Sequence, residues 1–91
     1  MQRKEIEKIV KEVIFEKMGE FTGFNHAAEI DNEDGLATDM AMDSFDYAEV
    51  LMDIEEKIGI RISDDVFGDK PVDELTVGIF VDMLYDWFKS K

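Results

Sequence analysis

The spacing of apolar residues between Ser44 and Ile58 is the strongest constraint on the fold. These residues recur at intervals that place them on one side of a helix: Tyr47, Val50, Leu51, Ile54 and Ile58. Such a period predicts an amphipathic helix. Asp43 is a suitable N-cap, Asp46 follows three residues later as in a capping box, and Gly59 is a suitable stop.

Two further stretches have the same helical period. The first runs from Arg3 to Met18, with Gly19 as its expected stop, and its apolar residues are Ile6, Ile9, Val10, Val13, Ile14 and Met18. The second follows Thr76 as an N-cap, and its apolar residues are Val77, Phe80, Val81, Leu84, Trp87 and Phe88. Gly78 lies inside this last helix, where a glycine costs about 1 kcal/mol relative to alanine, so we expect close packing there.

Residues 20–42 show no sustained period and contain several glycines and asparagines. The scattered apolar residues that we expect to hold this loop against the core are Phe21, Phe24, Ile30, Leu36 and Met40. Because these anchors are few for a loop of this length, we expect it to be the most mobile region.

After the central helix, Ile60-Arg61-Ile62 predicts a short extended link, and Ser63 to Phe67 predicts one brief helical turn. The expected fold is therefore all-α: a bundle of three main helices plus one short helix, with a long loop between the first and second helices. Residues 1–91 are enough for one domain with one modest core.

The charge distribution excludes several classes of function. The formal net charge is −13, and residues 18–56 contain twelve acids and no Lys or Arg. Such a surface repels nucleic acid and anionic membranes and attracts basic proteins. The chain has no cysteine, which excludes disulfides and thiolate chemistry. With no signal-peptide pattern and no membrane-spanning stretch, we expect a cytoplasmic monomer.

Ser44 is the candidate for chemistry, but the sequence does not favour catalysis. It lacks the Gly-x-Ser-x-Gly pattern of hydrolases, and His26, in the loop, is the only histidine. The acidic run at residues 31–35 does not form a calcium loop, because Gly35 as its sixth position would put Ile30 first and Ala41 twelfth. We therefore expect no catalytic residue and no metal site.

Ser44 suits modification better, since an exposed hydroxyl at a helix N-terminus lies where the helix dipole favours a phosphate. An acidic stripe follows it along the helix: Asp46, Glu49, Asp53 and Glu56. The sequence places no basic residue beside this stripe before Lys57. Glu55 and Glu56 lie near the helix C-terminus, where the dipole disfavours them, which suggests a role outside the stability of the helix.

The segment DMAMDSFDYAEVLMDIEEKIGIRISDD resembles the Asp-Ser-Leu region of acyl carrier proteins. The likeness extends over most of the chain, through the Ile-x-Ile link to TVGIFVDML in the last helix. Two positions depart from the family pattern: Phe45 replaces the Leu of the motif, and Ala41 replaces the Gly two residues before its Asp. These departures suggest a specialised carrier.

The resemblance implies a protein that is not an enzyme. It implies that Ser44, preceded by Asp43, receives 4′-phosphopantetheine from coenzyme A through a phosphopantetheinyl transferase. The arm would hold an acyl intermediate as a thioester for fatty acid, polyketide or specialised lipid biosynthesis. Acyl-processing enzymes with basic docking patches would then contact the second helix, and the residues implied are Asp46, Glu49, Met52, Asp53, Glu55 and Glu56.

Two alternatives remain open from the residues alone. The acidic surface also suits a protein-interaction module without a prosthetic group, or a nucleic-acid mimic that blocks a basic site. Neither accounts for an exposed serine at the start of the most acidic helix.

Overall fold

A computed structural model describes residues 2–62 and 71–90, apart from the side chain of residue 21. Helix α1 spans Arg3–Thr22, α2 spans Ser44–Ile58 and α3 spans Val77–Lys89. Short 3-10 turns at Ala27–Glu29 and Val72–Glu74 precede α2 and α3. Over the described residues the fold is all-helical, as predicted. The predicted short helical turn from Ser63 to Phe67 lies outside the described residues.

Helix α1 is longer than predicted, because its stop is Gly23 rather than Gly19. Gly23 has a φ of 80° and donates its N–H to the carbonyl of Gly19 over 3.2 Å. Gly19 remains helical, and the ring of Phe15 lies 3.2 Å from where its Cβ would be. The absence of a side chain at Gly19 thus leaves room for this ring on the surface of the helix.

Helix α1 packs against both α2 and α3, and its buried face forms the hydrophobic core with theirs. Among the side chains of α1 that the structure describes, five are buried: Ile6, Val10, Val13, Ile14 and Met18. The facing residues of α2 and α3 that are buried are Val50, Ile54, Val77, Phe80, Val81 and Leu84. Tyr47 meets Phe80 edge to face, with ring centroids 5.8 Å apart. The predicted apolar faces of all three helices therefore meet in one core.

The apolar anchors predicted for the loop are confirmed at Phe24, Ile30, Leu36 and Met40, and Met42 is a further one. Ile30, Leu36, Met40 and Met42 are each no more than 2% exposed, and Phe24 packs partly buried against the same core. The backbone of Leu36 also donates to the carbonyl of Leu75 over 2.9 Å. The half of the loop that precedes α2 is therefore packed against the bundle, and it sets the position where α2 begins.

Gly78 confirms the close approach predicted for it. Its N–H donates to the carbonyl of Asn32 over 2.8 Å, and a Cβ at this position would lie 3.0 Å from that oxygen. Thr76 caps α3, since its hydroxyl accepts the N–H of Ile79 over 3.2 Å. The loop and the start of α3 are thus held together by backbone contacts.

Candidate functional site

The start of α2 is fixed by a reciprocal cap between two aspartates. The Asp43 carboxylate accepts the backbone N–H of Asp46 over 2.8 Å, and the Asp46 carboxylate accepts that of Asp43 over 3.4 Å. Both side chains satisfy backbone donors that a helix leaves unpaired at its start. The predicted capping box is confirmed, and it leaves Ser44 as the first residue of the helix.

Ser44 is exposed at this first helical position. The residues that flank it in the cap are carboxylates, which hold the helix start but repel a second anion. The dipole of a 15-residue helix favours a phosphate at this end. The arrangement therefore offers an accessible hydroxyl at a capped helix terminus.

The segment before Ser44 is strained at Ala41. This residue has a φ of 58°, a left-handed conformation that costs a residue with a Cβ about 1–2 kcal/mol. It lines a cleft of about 280 Å³ together with Lys17, Met18 and Asp46. The structure gives a physical reason for a glycine at this place in the resembled motif, since only glycine adopts such a φ without a steric penalty.

Two large apolar side chains of α2 are exposed. Phe45 is 71% and Met52 65% accessible, and they lie seven residues apart, two turns along one face of the helix. Scattered exposed apolar residues are common on proteins, but these two border the predicted acidic stripe. They are thus available for contact with another protein.

Within α2 the acidic stripe follows the predicted spacing, but it does have a basic neighbour. Lys17 of α1 reaches across to Glu49, with its Nζ 2.5 Å from the Glu49 carboxylate. The hydrogen bond that Lys17 donates to Glu49, with the charges of Glu49, Asp53 and Asp46, raises the pKa of Lys17. The expectation of a stripe without a basic neighbour before Lys57 is therefore wrong in three dimensions.

Sequence reasoning missed Lys17 because the residue is 32 positions from its partner. The helical period of α1 fixes which residues are buried, but it does not fix how α1 rotates against α2. No local pattern at Lys17 indicates that its side chain crosses to the other helix.

Glu55 has a partner within the chain. Its carboxylate accepts the backbone N–H of Ile62 over 2.6 Å, which ties the link after α2 back to the helix. Ile62 is nearly buried, so this bond holds an apolar anchor in place. Asp53 and Glu56 are exposed, whereas Glu55 is only partly exposed.

The chain matches a protein-family model, described as the phosphopantetheine attachment site, over residues 12–86. No solved structure matches the chain. In the described part of the chain, no helix is both long and apolar enough to cross a membrane. The residues at the start of α2 fit a prosthetic group attached through a phosphate, because an exposed hydroxyl lies at the positive end of a helix.

The matched range contains all of α2, most of α1 and most of α3, which is well over half of the chain. The prosthetic group of this family is a covalent 4′-phosphopantetheine, as the resemblance implied. The chain therefore belongs to the phosphopantetheine attachment-site family, of the acyl carrier protein type.

Proposed function

We propose that Ser44 carries the phosphopantetheine and that the protein presents an acyl group to biosynthetic enzymes. The observation that carries this proposal is the exposed position of Ser44 as the first residue of α2, inside the range matched by the family. The capping pair of Asp43 and Asp46 holds the helix start in one conformation. A transferase would then meet the hydroxyl in a defined orientation.

The other serines suit this role less well. Ser90 lies beyond the matched range, at the C-terminus of α3, where its hydroxyl donates to the carbonyl of Trp87 over 2.7 Å. The negative end of a helix dipole disfavours a phosphate there. Ser63 lies outside the described residues and lacks the Asp-Ser sequence before a predicted helix of comparable length.

The modification step needs a base, and we assign it to the transferase because the Asp43 carboxylate beside Ser44 is engaged in the helix cap. The Ser44 Oγ forms a bond to the pantetheine-bearing phosphorus of coenzyme A, whose bond to the other phosphate breaks. Adenosine 3′,5′-bisphosphate leaves, and the serine proton passes to a base on the transferase. When bound, the arm supplies a thiol that holds cargo as a thioester. The protein itself then positions the arm and is not a catalyst.

The surface of α2 supports docking to basic partners. Asp46, Glu49, Asp53 and Glu56 carry the charge, and Met52 adds an exposed apolar contact. Exposed ion pairs are weak and screened by salt, which suits a carrier that must release each enzyme in turn. The partners in this proposal are a transferase and acyl-processing enzymes of a fatty acid, polyketide or specialised lipid pathway. We place the protein in the cytoplasm as a monomer of one domain.

Intact mass tests the proposal directly. The purified protein is incubated with coenzyme A and a broad-specificity phosphopantetheinyl transferase, and we expect the mass to increase by one phosphopantetheine. Ser44→Ala should gain nothing, whereas the matched control Ser90→Ala should be modified as fully as the wild type. Modification of Ser44→Ala would refute the assignment. No modification of the wild type would favour an interaction module or a nucleic-acid mimic.

A further inference from the structure

The contact between Lys17 and Glu49 divides the acidic stripe of α2. Lys17 is the cation of α1 that reaches this stripe, and its side chain is 21% exposed against 39% for that of Glu49. Asp46 and Asp53, on either side of Glu49 along the stripe, also act on the Lys17 charge. One ammonium group therefore lies at the centre of the anionic surface.

The contact differs from the other ion pair between the two helices. Lys57 of α2 meets Glu16 of α1 with 3.4 Å between Nζ and carboxylate, and the Glu16 side chain is 63% exposed. The Lys17 pair is shorter and less exposed, and it involves an acid of the stripe itself. Solvent and salt weaken the electrostatic attraction within such a partly buried pair less than they weaken that of a fully exposed pair.

We propose that Lys17 is an internal counter-ion that a basic partner must displace from Glu49 when it docks on α2. This inference rests on the proposed carrier function. In the free protein Lys17 occupies the position that a partner cation would take, so part of the attraction is already satisfied. Only partners that bring enough positive charge, correctly placed, replace the contact. Lys17 thereby reduces the affinity for other basic surfaces and restricts which enzymes dock.

The proposal predicts that removal of Lys17 improves docking. At low salt, Lys17→Met should raise kcat/KM for transferase modification by about two- to five-fold, as expected for one exposed charge pair. The change should lie mainly in KM and in the association rate. The gain should disappear near 0.5 M salt, where screening acts within about 4–5 Å.

Lys8→Met is the matched control. It removes one positive charge from the same helix, and Lys8 lines a separate cleft with Ala27 and Ala28. If a more negative net charge alone improved docking, both variants would respond equally. A gain confined to Lys17→Met supports a local counter-ion, whereas an equal gain in Lys8→Met overturns it.

A double-mutant cycle supplies the second readout. Glu49→Gln should lower kcat/KM slightly in the wild-type background and more strongly in the Lys17→Met background, because Glu49 is then free for the partner. Additive effects, or no gain from Lys17→Met, overturn the counter-ion proposal while modification of the wild type still supports the carrier function. If Lys17→Met does not fold by circular dichroism, Lys17→Gln replaces it in both tests. A wild type that is not modified removes both proposals.

Discussion

The backbone nitrogen of Gly78 lies 2.8 Å from the carbonyl oxygen of Asn32, and no side chain separates the two segments. The Asn32 side chain also lowers the pKa of the Glu7 carboxyl on α1. One loop residue is thus bonded to the backbone of α3 and influences a carboxyl group of α1. The backbone contact holds the middle of the long loop against the bundle, and the rest of the loop leads from there to Ser44.

Gly78→Ala should therefore destabilise the protein, although alanine is the better helix former. The new Cβ would lie 3.0 Å from the Asn32 oxygen and 3.1 Å from the Asn32 Cβ, so the backbone of the loop must move. Overpacking of this kind costs about 1–3 kcal/mol, which exceeds the gain in helix propensity. Urea unfolding followed by circular dichroism measures the difference.

Gly19→Ala is the control, since both glycines are helical. Here the nearest atoms belong to the Phe15 ring, at 3.2 Å, and a side chain can rotate away. We expect this change to stabilise the protein by up to about 1 kcal/mol. A Gly78→Ala variant as stable as Gly19→Ala would show that the loop yields without cost.

Ala41→Gly should stabilise the protein. The φ of 58° at Ala41 strains a residue with a Cβ, and glycine removes that strain. Glycine also adds entropy to the unfolded chain, so the net gain should be about 0.5 kcal/mol. The free energy of unfolding in urea is the measurement.

Ala48→Gly is the control, because we expect it to change the free energy of unfolding in the opposite direction. Ala48 is exposed in the middle of α2, where the same substitution should cost about 1 kcal/mol. If Ala41→Gly destabilises by a similar amount, position 41 does not carry the strain that its backbone angle indicates.

The sequence predicts the three helices because each has its own apolar period and its own cap. For α2, both ends are predicted correctly, because Asp43 is a strong N-cap and Gly59 is a strong C-cap. For α1 the same reasoning fails, because Gly19 and Gly23 are equally good local stops. The helix continues past Gly19 and ends at Gly23, whose φ is 80°, and no local signal in the sequence distinguishes the two glycines.

The candidate site was predictable where it depends on local sequence chemistry. Ser44 follows from a local motif, and its exposure at the helix start follows from the cap. The electrostatics of the stripe were not predictable, because Lys17 and Glu49 come together through the packing of two helices. The Glu55 carboxylate likewise accepts the backbone N–H of Ile62, and the helical period of α2 does not indicate this hydrogen bond.

Hydrogen exchange should divide the long loop into two parts. The amide of Leu36 is bonded to the Leu75 carbonyl and belongs to a buried residue, so it should exchange slowly. The amide of His26 donates only to the exposed Glu29 carboxylate and should exchange fast. Exchange followed by NMR distinguishes the two. Equally fast exchange at both positions would support the sequence-based prediction that this loop is the most mobile region.

Glu7 should make stability depend on pH in the acid range. The hydrogen bond from Asn32, with the charges of Lys11 and Arg3, lowers the pKa of Glu7 below its usual 4.5. A carboxylate with a lowered pKa in the folded state stabilises the fold above its unfolded pKa. That contribution is lost as the pH falls from 4.5 through the lowered value.

Glu7→Gln should therefore be less stable than the wild type at pH 7, by up to about 1 kcal/mol, and the difference should shrink below pH 4.5. Urea unfolding at pH 7, 4 and 3 gives the difference directly. Glu12→Gln makes the same charge change on α1 and controls for net charge. A difference that stays constant over this range would show that Glu7 acts through packing rather than through its charge.

Reversal of charge on α2 tests whether docking is electrostatic. Each exposed charge should contribute only about 0.2–1 kcal/mol, so single changes should be mild. Glu49→Lys with Asp53→Lys should slow transferase modification several-fold at low salt, mainly in association. Wild-type modification should also slow towards 0.5 M salt, where the Debye length is about 4–5 Å. The fold should survive, because Val50 and Ile54 are the residues of α2 that are buried.

Met52→Ala is the contrasting variant, because Met52 is 65% exposed on the same helix but carries no charge. Electrostatic docking predicts that this change lowers the modification rate less than the double reversal does, and that its effect varies little with salt. Steady-state rates at low and high salt for both variants decide the matter. If the doubly reversed protein is modified at the wild-type rate while Met52→Ala is not modified, docking is apolar. The acids of α2 would then serve solubility alone.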